Sequence, residues 1–526
     1  MRRTARCAIA AGLLVLPIQA FNAVTDTLPA VNTVPRLALV IGNGKYREVP
    51  LKNAPNDAKA IADNLTRMGF DVTLKLDATR SEMVETIRAF GARLQKQKGV
   101  GLFYFAGHGV QLAWRNYLIP VDAAIKNVSE VDAQAVDMET LLESMTRARN
   151  PMNLIILDAC RDNPFGGSVQ VQQKGLSQVD APPGTLLAYA TAPGNTAADG
   201  TGANGLYTEN MLKEIVLPAA KVEDIFKRVR LNVRRQSRGQ QVPWESTSLE
   251  EDFYFLPPKE FRKLSLTETE KQFQEELALW EGMQDSKDPA PLEDYLRRYP
   301  SGKFSELAQF RLDRILAQQG EKAVRVPDAA RNAGNPYSKG TVRVDTNFAI
   351  GDTYTYRRTD RSEPSKSRNY TMTVTDVTDE MLVYNKGTET RDLLGNVYKM
   401  KEFGDYTGAE GGAAQFYPAE YSIGKKWTAR YRVKGKDGKE WSTEYDFKIV
   451  AREKITVPAG EFDAFKVEGR GANTLGSLLQ ANYWIAPDRV RRVLAREFIA
   501  QGSKTGKVYY NERDELVSFR QLREQR

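Results

Sequence analysis

The chain has 526 residues, of which 41% are hydrophobic and 27% charged, and it carries a net charge of +8. That is the composition of a folded protein, and its length suits roughly three domains. With one histidine and two cysteines, a zinc centre of the usual four-ligand kind is excluded; the basic balance favours contact with acidic surfaces such as the cell envelope, without specifying one.

Arg2, Arg3 and Arg6 precede a short apolar stretch, Ala8 to Ala20, with small residues at Ala20 and Ala23 where a leader could be cut. Residues 1–23 therefore read as a signal peptide, and the mature protein is expected to be exported and periplasmic. The stretch is shorter than the ~20 apolar residues of a spanning helix, an uncleaved anchor being the alternative. No later segment is apolar for long enough to cross a bilayer. Cys7 leaves with the leader, so Cys160 is the one mature cysteine and can form no disulfide within its own chain. A lone thiol in an exported protein is a reactive group or an intermolecular bridge. The plainer alternative is a small buried hydrophobe.

From residue 35 to 258, short apolar runs alternate with helical patterns. Strands are expected at Leu37–Ile41, Asp71–Leu76, Val100–Phe105, Leu154–Leu157 and Thr185–Tyr189. Helices are expected at Asp57–Met68, Ser81–Gln95, Asp137–Arg149, Tyr207–Val216 and Lys221–Arg235. This alternation predicts an α/β domain with a mostly parallel sheet covered on both faces. In such a sheet the active loops lie beyond the carboxyl ends of the strands. His108 follows the run Val100 to Gly107, and Cys160 follows Met152 to Asp158, so both are expected in strand-end loops. A thiol and an imidazole, each alone of its kind, are what a cysteine nucleophile and its general base require. Basic residues cluster from Lys227 to Arg238, among them Arg228, Arg230, Arg234 and Arg235. The expectation there is the solvated face of an amphipathic helix, and no nucleic-acid partner is expected of an exported protein. Gly42-Asn-Gly-Lys45 follows a strand but lacks the longer glycine loop and the Ser or Thr of a phosphate cradle.

Residues 259–319 carry a helical pattern only, with Leu277, Leu279, Trp280 and Met283 as one apolar set and Leu292, Tyr295 and Leu296 as another. This resembles a tetratricopeptide-like helical hairpin, too short for a repeat array and better suited to a spacer. Residues 320–339 are polar and suit a linker. From 340 to 522 the period changes to two, as in Thr353-Tyr-Thr-Tyr-Arg357, Tyr370 to Thr375, Trp427 to Val433, Thr443–Val450, Ala464–Gly469 and Asn482–Ile485. An antiparallel β domain is predicted, a strongly twisted sheet or partial barrel. No cluster of titratable residues in it demands chemistry, and its ligand or partner is left unidentified.

Five segments carry a resemblance: Leu37-Ala-Leu-Val-Ile-Gly-Asn43, Phe105-Ala-Gly-His-Gly109, Asn116-Tyr-Leu-Ile-Pro-Val-Asp122, Leu157-Asp-Ala-Cys-Arg-Asp162 and Tyr189-Ala-Thr-Ala-Pro-Gly194. On these, residues 36 to 257 resemble the caspase-like (metacaspase) cysteine peptidases, with the His-Gly and Asp-Xaa-Cys pairs in the right order and about 50 residues apart. The resemblance implies a caspase–haemoglobinase fold with Cys160 and His108 as catalytic dyad. Gly109 and Cys160 would supply backbone N–H groups to the oxyanion. It implies no cofactor. Animal caspases have glutamine two positions before the cysteine; this chain has Asp158 there, as metacaspases do, which implies a pocket for a substrate Arg or Lys. Asp57 matches the position of a second pocket acid, the alternative being a charge favoured by a helix amino terminus. Self-cleavage, frequent in the family, would fall after Lys174, the only basic residue between Gly166 and Pro183. No dense acidic run accompanies the dyad, so calcium dependence is not expected. The function implied is a cysteine endopeptidase acting on protein or peptide substrates. The alternative is a catalytically silent scaffold that acts through its β domain.

Overall fold

The computed structural model describes residues 30–160, 165, 175–195, 197, 202–260, 265–283, 286–322, 335–378, 380–401, 404–408 and 413–522. The expected signal peptide (residues 1–23), Lys174 and the side chain of Cys160 lie outside the described residues.

The amino-terminal domain runs, in order, β1 (Arg36–Gly42), α1 (Ala54–Arg67), β2 (Asp71–Leu76), α2 (Arg80–Gln97), β3 (Val100–Leu112), β4 (Arg115–Leu118), a single turn α3 (Val131–Gln134), β5 (Val136–Asp137), α4 (Met138–Ala148), β6 (Met152–Cys160), β7 (Thr185–Tyr189), α5 (Leu206–Glu214), α6 (Val222–Gln236) and β8 (Trp244–Thr247). The main sheet has the order β2-β1-β3-β6-β7-β8. Its pairings are parallel except the last, β7 with β8. Every residue of Leu37–Ile41 is fully buried, as a strand covered on both faces must be. α1 packs so tightly on β1 that a Cβ at Gly42 would stand 2.5 Å from that of Ala58; only glycine permits that approach. β2 and β3 leave β1 on opposite sides, so a crevice opens at the carboxyl ends of β1 and β3, where α/β sheets hold their sites.

Two strands run further than their apolar cores suggest. β3 continues through His108 to Leu112 and β6 reaches Cys160, so neither residue stands in a loop beyond its strand. The extension has a partner, β4, which pairs Gly109 with Leu118 and keeps the ladder going where hydrophobicity alone would end it.

The basic cluster also departs from expectation. On α6, Arg228 meets Glu214 at 2.7 Å, Arg230 meets Glu245 at 3.0 Å, and Arg235 meets Glu293 at 2.5 Å. Arg234 meets Asp313 at 2.5 Å and Glu321 at 2.8 Å. The cluster is thus paired within the domain, through Arg228 and Arg230, and with the following helical segment, through Arg234 and Arg235, while Arg235 and Arg238 keep the solvent exposure expected of them. Helical period alone cannot show acids that arrive from residues 293–321.

Those helices are α7 (Leu266–Glu281), α8 (Pro289–Arg298) and α9 (Ser305–Gln318), three where a hairpin needs two. α7 starts at a capping box, Ser265 with Glu268. Trp280 stacks on Phe304 with centroids 5.2 Å apart, and Leu231 of α6 joins their core. Beyond them, residues 335–339 are docked rather than free: Asn335 Nδ2 donates to the Gln178 carbonyl at 2.9 Å, and the Ser338 hydroxyl to Asp180 at 2.7 Å.

The carboxyl-terminal half continues as β9 (Val342–Arg343), β10 (Thr353–Asp360), β11 (Arg368–Val377), β12 (Met381–Tyr384), β13 (Glu389–Asp392), β14 (Val397–Met400), β15 (Gly404–Gly408), β16 (Glu420–Tyr421), β17 (Lys426–Gly435), β18 (Glu440–Val457), β19 (Gly460–Asn473), β20 (Ser477–Ile485), β21 (Ala495–Gly502) and β22 (Val508–Arg520). Twelve of these strands form a closed antiparallel barrel, sealed by β10 against β22. Tyr354, Tyr356, Arg358 and Asp360 alternate inward along β10. The barrel does hold a network of charged groups, joined as ion pairs. Arg358 Nε donates to Asp514 at 2.8 Å, and Arg496 Nη2 donates to the same carboxylate at 2.8 Å. The three face one another across β10, β22 and β21. Registers between strands so distant in sequence are invisible to period-two patterning. Among the described residues, no helix is long and apolar enough to cross a membrane.

Candidate active site

The site begins with an irregularity in the sheet. Between β3 and β6 the register passes from Ala106↔Asp158 to Gly109↔Cys160, so β3 spends three residues where β6 spends two. Such a bulge re-aims the side chains beside it. His108 sits inside it, one residue from Gly109, whose Cα is in register with that of Cys160. The structure thus brings the histidine and the cysteine backbone onto neighbouring strands at the carboxyl edge of the sheet.

His108 is 1% exposed and held from three sides. Its ring Nε2 lies 2.7 Å from the Val49 carbonyl. A carbonyl can only accept, so Nε2 carries the proton, and Nδ1 of the neutral ring keeps the basic lone pair. The backbone N–H of His108 donates to the Tyr46 hydroxyl at 3.0 Å, and that hydroxyl donates to the Ile119 carbonyl at 3.0 Å. The two rings pack with centroids 4.4 Å apart. Neither Tyr46 nor Val49 is marked by any motif in the sequence.

Tyr46 and Val49 belong to the loop after β1, and the glycine pair set aside as a phosphate look-alike explains its shape. The N–H groups of Gly44 and Lys45 donate to Asp77 Oδ1 at 2.9 and 3.0 Å. Burial pushes the Asp77 carboxyl up, but these bonds and the Lys45 ammonium outweigh it and hold the carboxyl below its ordinary range. Asn43, fully buried, accepts from Ala78 N–H at 2.9 Å and donates to the Ile119 carbonyl at 3.2 Å. The loop is a bracket for the histidine.

The two acids lie together. Asp158 is 1% and Asp57 0% exposed. The Thr208 hydroxyl donates to Asp158 at 2.9 Å, which obliges the Tyr104 hydroxyl, 2.6 Å from Thr208, to donate in turn. Asp57 accepts from Asn204 Nδ2 at 2.8 Å and from Gly205 N–H at 3.0 Å. Burial first, then the negative charges of Asp158 and Asp57, push the Tyr104 phenol well above its usual range. Asp57 stands in the first turn of α1, and Gly205 and Thr208 stand at the start of α5, so two helix amino termini offset the buried charge.

Gly109 has no room for a side chain: a Cβ would lie 2.7 Å from the Ala159 carbonyl. Its main chain is therefore closely seated against the end of β6, beside the cysteine.

The family model for the caspase domain matches residues 35–254. This part of the chain is a caspase domain. The human mucosa-associated lymphoid tissue lymphoma translocation protein 1 is 30% identical over 200 residues, which are 37% of this chain and 23% of that protein. The mouse homologue of that protein matches with the same identity and coverage. The chain thus spans about a quarter of the length of these relatives. The match supports membership of a cysteine peptidase family for the caspase domain, and it ends before the helices and the barrel.

Proposed function

We propose that the protein is a metacaspase-type cysteine endopeptidase that cleaves after Arg or Lys, with Cys160 as nucleophile and His108 as acid–base. The observation that carries this reading is the pair of buried carboxylates, Asp158 two residues before Cys160 on β6 and Asp57 at the start of α1. A carboxylate pairs with a substrate guanidinium or ammonium through charge-assisted hydrogen bonds, and two acids from β6 and α1 around one phenol, Tyr104, make an acidic locality suited to a basic side chain. In this mechanism the Cys160 thiol gives its proton to His108 Nδ1 and the thiolate attacks the scissile carbonyl. The N–H groups of Gly109 and Cys160 receive the oxyanion, and His108 passes the proton to the leaving amine. Water then hydrolyses the thioester acyl-enzyme. The same proposal includes export to the periplasm with removal of residues 1–23, self-cleavage after Lys174, and envelope contact through the basic surface.

Purified protein and its Cys160→Ala variant, incubated with fluorogenic peptides ending in Arg, Lys or Asp, test it. Release after Arg and Lys, lost in the variant, is expected. Release after Asp alone would discard the acidic pocket. No release from any peptide, with or without calcium, would favour a silent scaffold. Amino-terminal sequencing of the secreted form checks the leader, and of the incubated form the cut at Lys174.

A further inference from the structure

The barrel holds a half-open cavity of about 420 Å³, within the ~300–1,000 Å³ span of small-molecule sites. Seven Lys or Arg side chains line it against two acids, Glu389 and Asp514. Both acids are already engaged, Asp514 by Arg358 and Arg496, and Glu389 by Arg391.

Arg492 is left over. It enters from the β20–β21 connection and is 5% exposed. Among the described residues no carboxylate comes within ion-pair distance of it. Nη1 has only the Gly395 carbonyl at 3.5 Å, and Nη2 only the Met372 sulfur at 4.0 Å. Its Nε is buried without a hydrogen-bond partner among the described residues. The guanidinium lies over the Tyr384 ring, 5.5 Å from its centroid, and the Tyr384 hydroxyl is likewise buried and unpartnered among the described residues. A guanidinium keeps its charge in a protein, and the acid that attracts it, Glu389, is already paired with Arg391, so the buried charge is poorly compensated. An anion brought from outside would relieve it.

The walls beside this charge are Tyr356, Tyr370, Tyr417, Met372 and Met400, a surface for an apolar or aromatic body. Arg368, Lys401 and Lys436 are exposed at the cavity's rim and would draw anions inward. We propose that the barrel cavity binds an amphiphilic anion, its carboxylate or phosphate paired with Arg492 and its apolar part against the tyrosine and methionine walls. This binding is independent of the peptidase chemistry.

Titration calorimetry of the full chain with dodecanoate, dodecyl phosphate, inorganic phosphate and 1-dodecanol tests it. One-to-one binding of dodecanoate or dodecyl phosphate is expected, weakened at least tenfold in Arg492→Met, with dodecanol far weaker. Inorganic phosphate binding as tightly as dodecyl phosphate, and lost in the variant, would keep the anion site but overturn the amphiphile. No saturation by any probe, equal binding of dodecanol, or unchanged affinity in Arg492→Met would overturn the proposal. The ligand-free variant should melt no lower than the parent, because Arg492 serves a ligand and not the fold. If Arg492→Met fails to fold, Arg492→Lys keeps the charge but loses the planar fork, and several-fold weaker dodecyl phosphate binding is then expected.

Discussion

At His108, the hydrogen bond to Val49 leaves Nδ1 as the nitrogen available for the proposed base, and Tyr46 fixes where the ring stands. Tyr46→Phe removes one hydroxyl that serves two buried backbone groups, His108 N–H and the Ile119 carbonyl. Thermal or denaturant unfolding should show a loss of about 1–3 kcal/mol. Steady-state kinetics should show kcat falling with KM kept, and a shifted acidic limb of the pH–rate profile, since the base is displaced while the pocket is not. At the other end of the site, Asp158→Asn keeps the shape of the side chain and removes its charge. Losing a charge-assisted pairing of about 1.5–3 kcal/mol lowers kcat/KM for an Arg peptide roughly 10- to 100-fold. Thr208→Val, which leaves the carboxylate but removes one donor to it, should cost less, as the same peptide assay would show.

The bulge in β3 is the element that turns an ordinary parallel sheet into a site. Gly109→Ala sets a methyl group 2.7 Å from the Ala159 carbonyl, so β3 must shift against β6 beside His108 and the backbone of Cys160. Overpacking of this kind costs about 1–3 kcal/mol, and the expected outcome is a lower Tm with kcat reduced tenfold or more. Elements that carry their own apolar period were legible in the sequence: β2 and β7 have the expected bounds, and α1, α2 and α4 differ only at their ends. Motifs mark His108, Cys160, Asp158 and Asp57 in the sequence, and the structure sets His108 and the Cys160 backbone on neighbouring strands. What escaped are features made by pairing across distance. The extension of β3 depends on β4, the paired face of α6 depends on acids beyond residue 290, and the brackets from Tyr46, Val49 and Thr208 depend on loops folding back. β12 to β15 are short or broken by bulges, so they offer little alternation to read.

Across the whole molecule, the helical layer ties the caspase domain to the barrel through ion pairs on both sides. Arg234 reaches Asp313 at 2.5 Å from one side, and Lys425 reaches Glu306 at 2.8 Å from the other. The barrel adds a pH dependence of its own. Burial lifts the Asp392 carboxyl from 3.8 to about 6, against hydrogen bonds from Asn396 that pull the other way. Between those two values the folded chain holds a proton that the unfolded chain has released. The carboxyl therefore favours folding below pH 3.8, and that contribution is lost as pH rises through about 6. Relative to Asp392→Asn, the parent protein should lose on the order of 2–3 kcal/mol between pH 4 and 7, read from denaturant midpoints at fixed ionic strength.

The seam between β10 and β22 also dictates an order of events during synthesis. A chain made from its amino end has every strand of the caspase sheet once Thr247 has appeared, but the barrel cannot close until residues near Arg520 arrive. The caspase domain is thus complete while its neighbour is still an unsealed set of strands with unpaired edges. A ribosome stalled, or a chain clipped, in the last strand would leave an intact caspase domain attached to a barrel without its final stave.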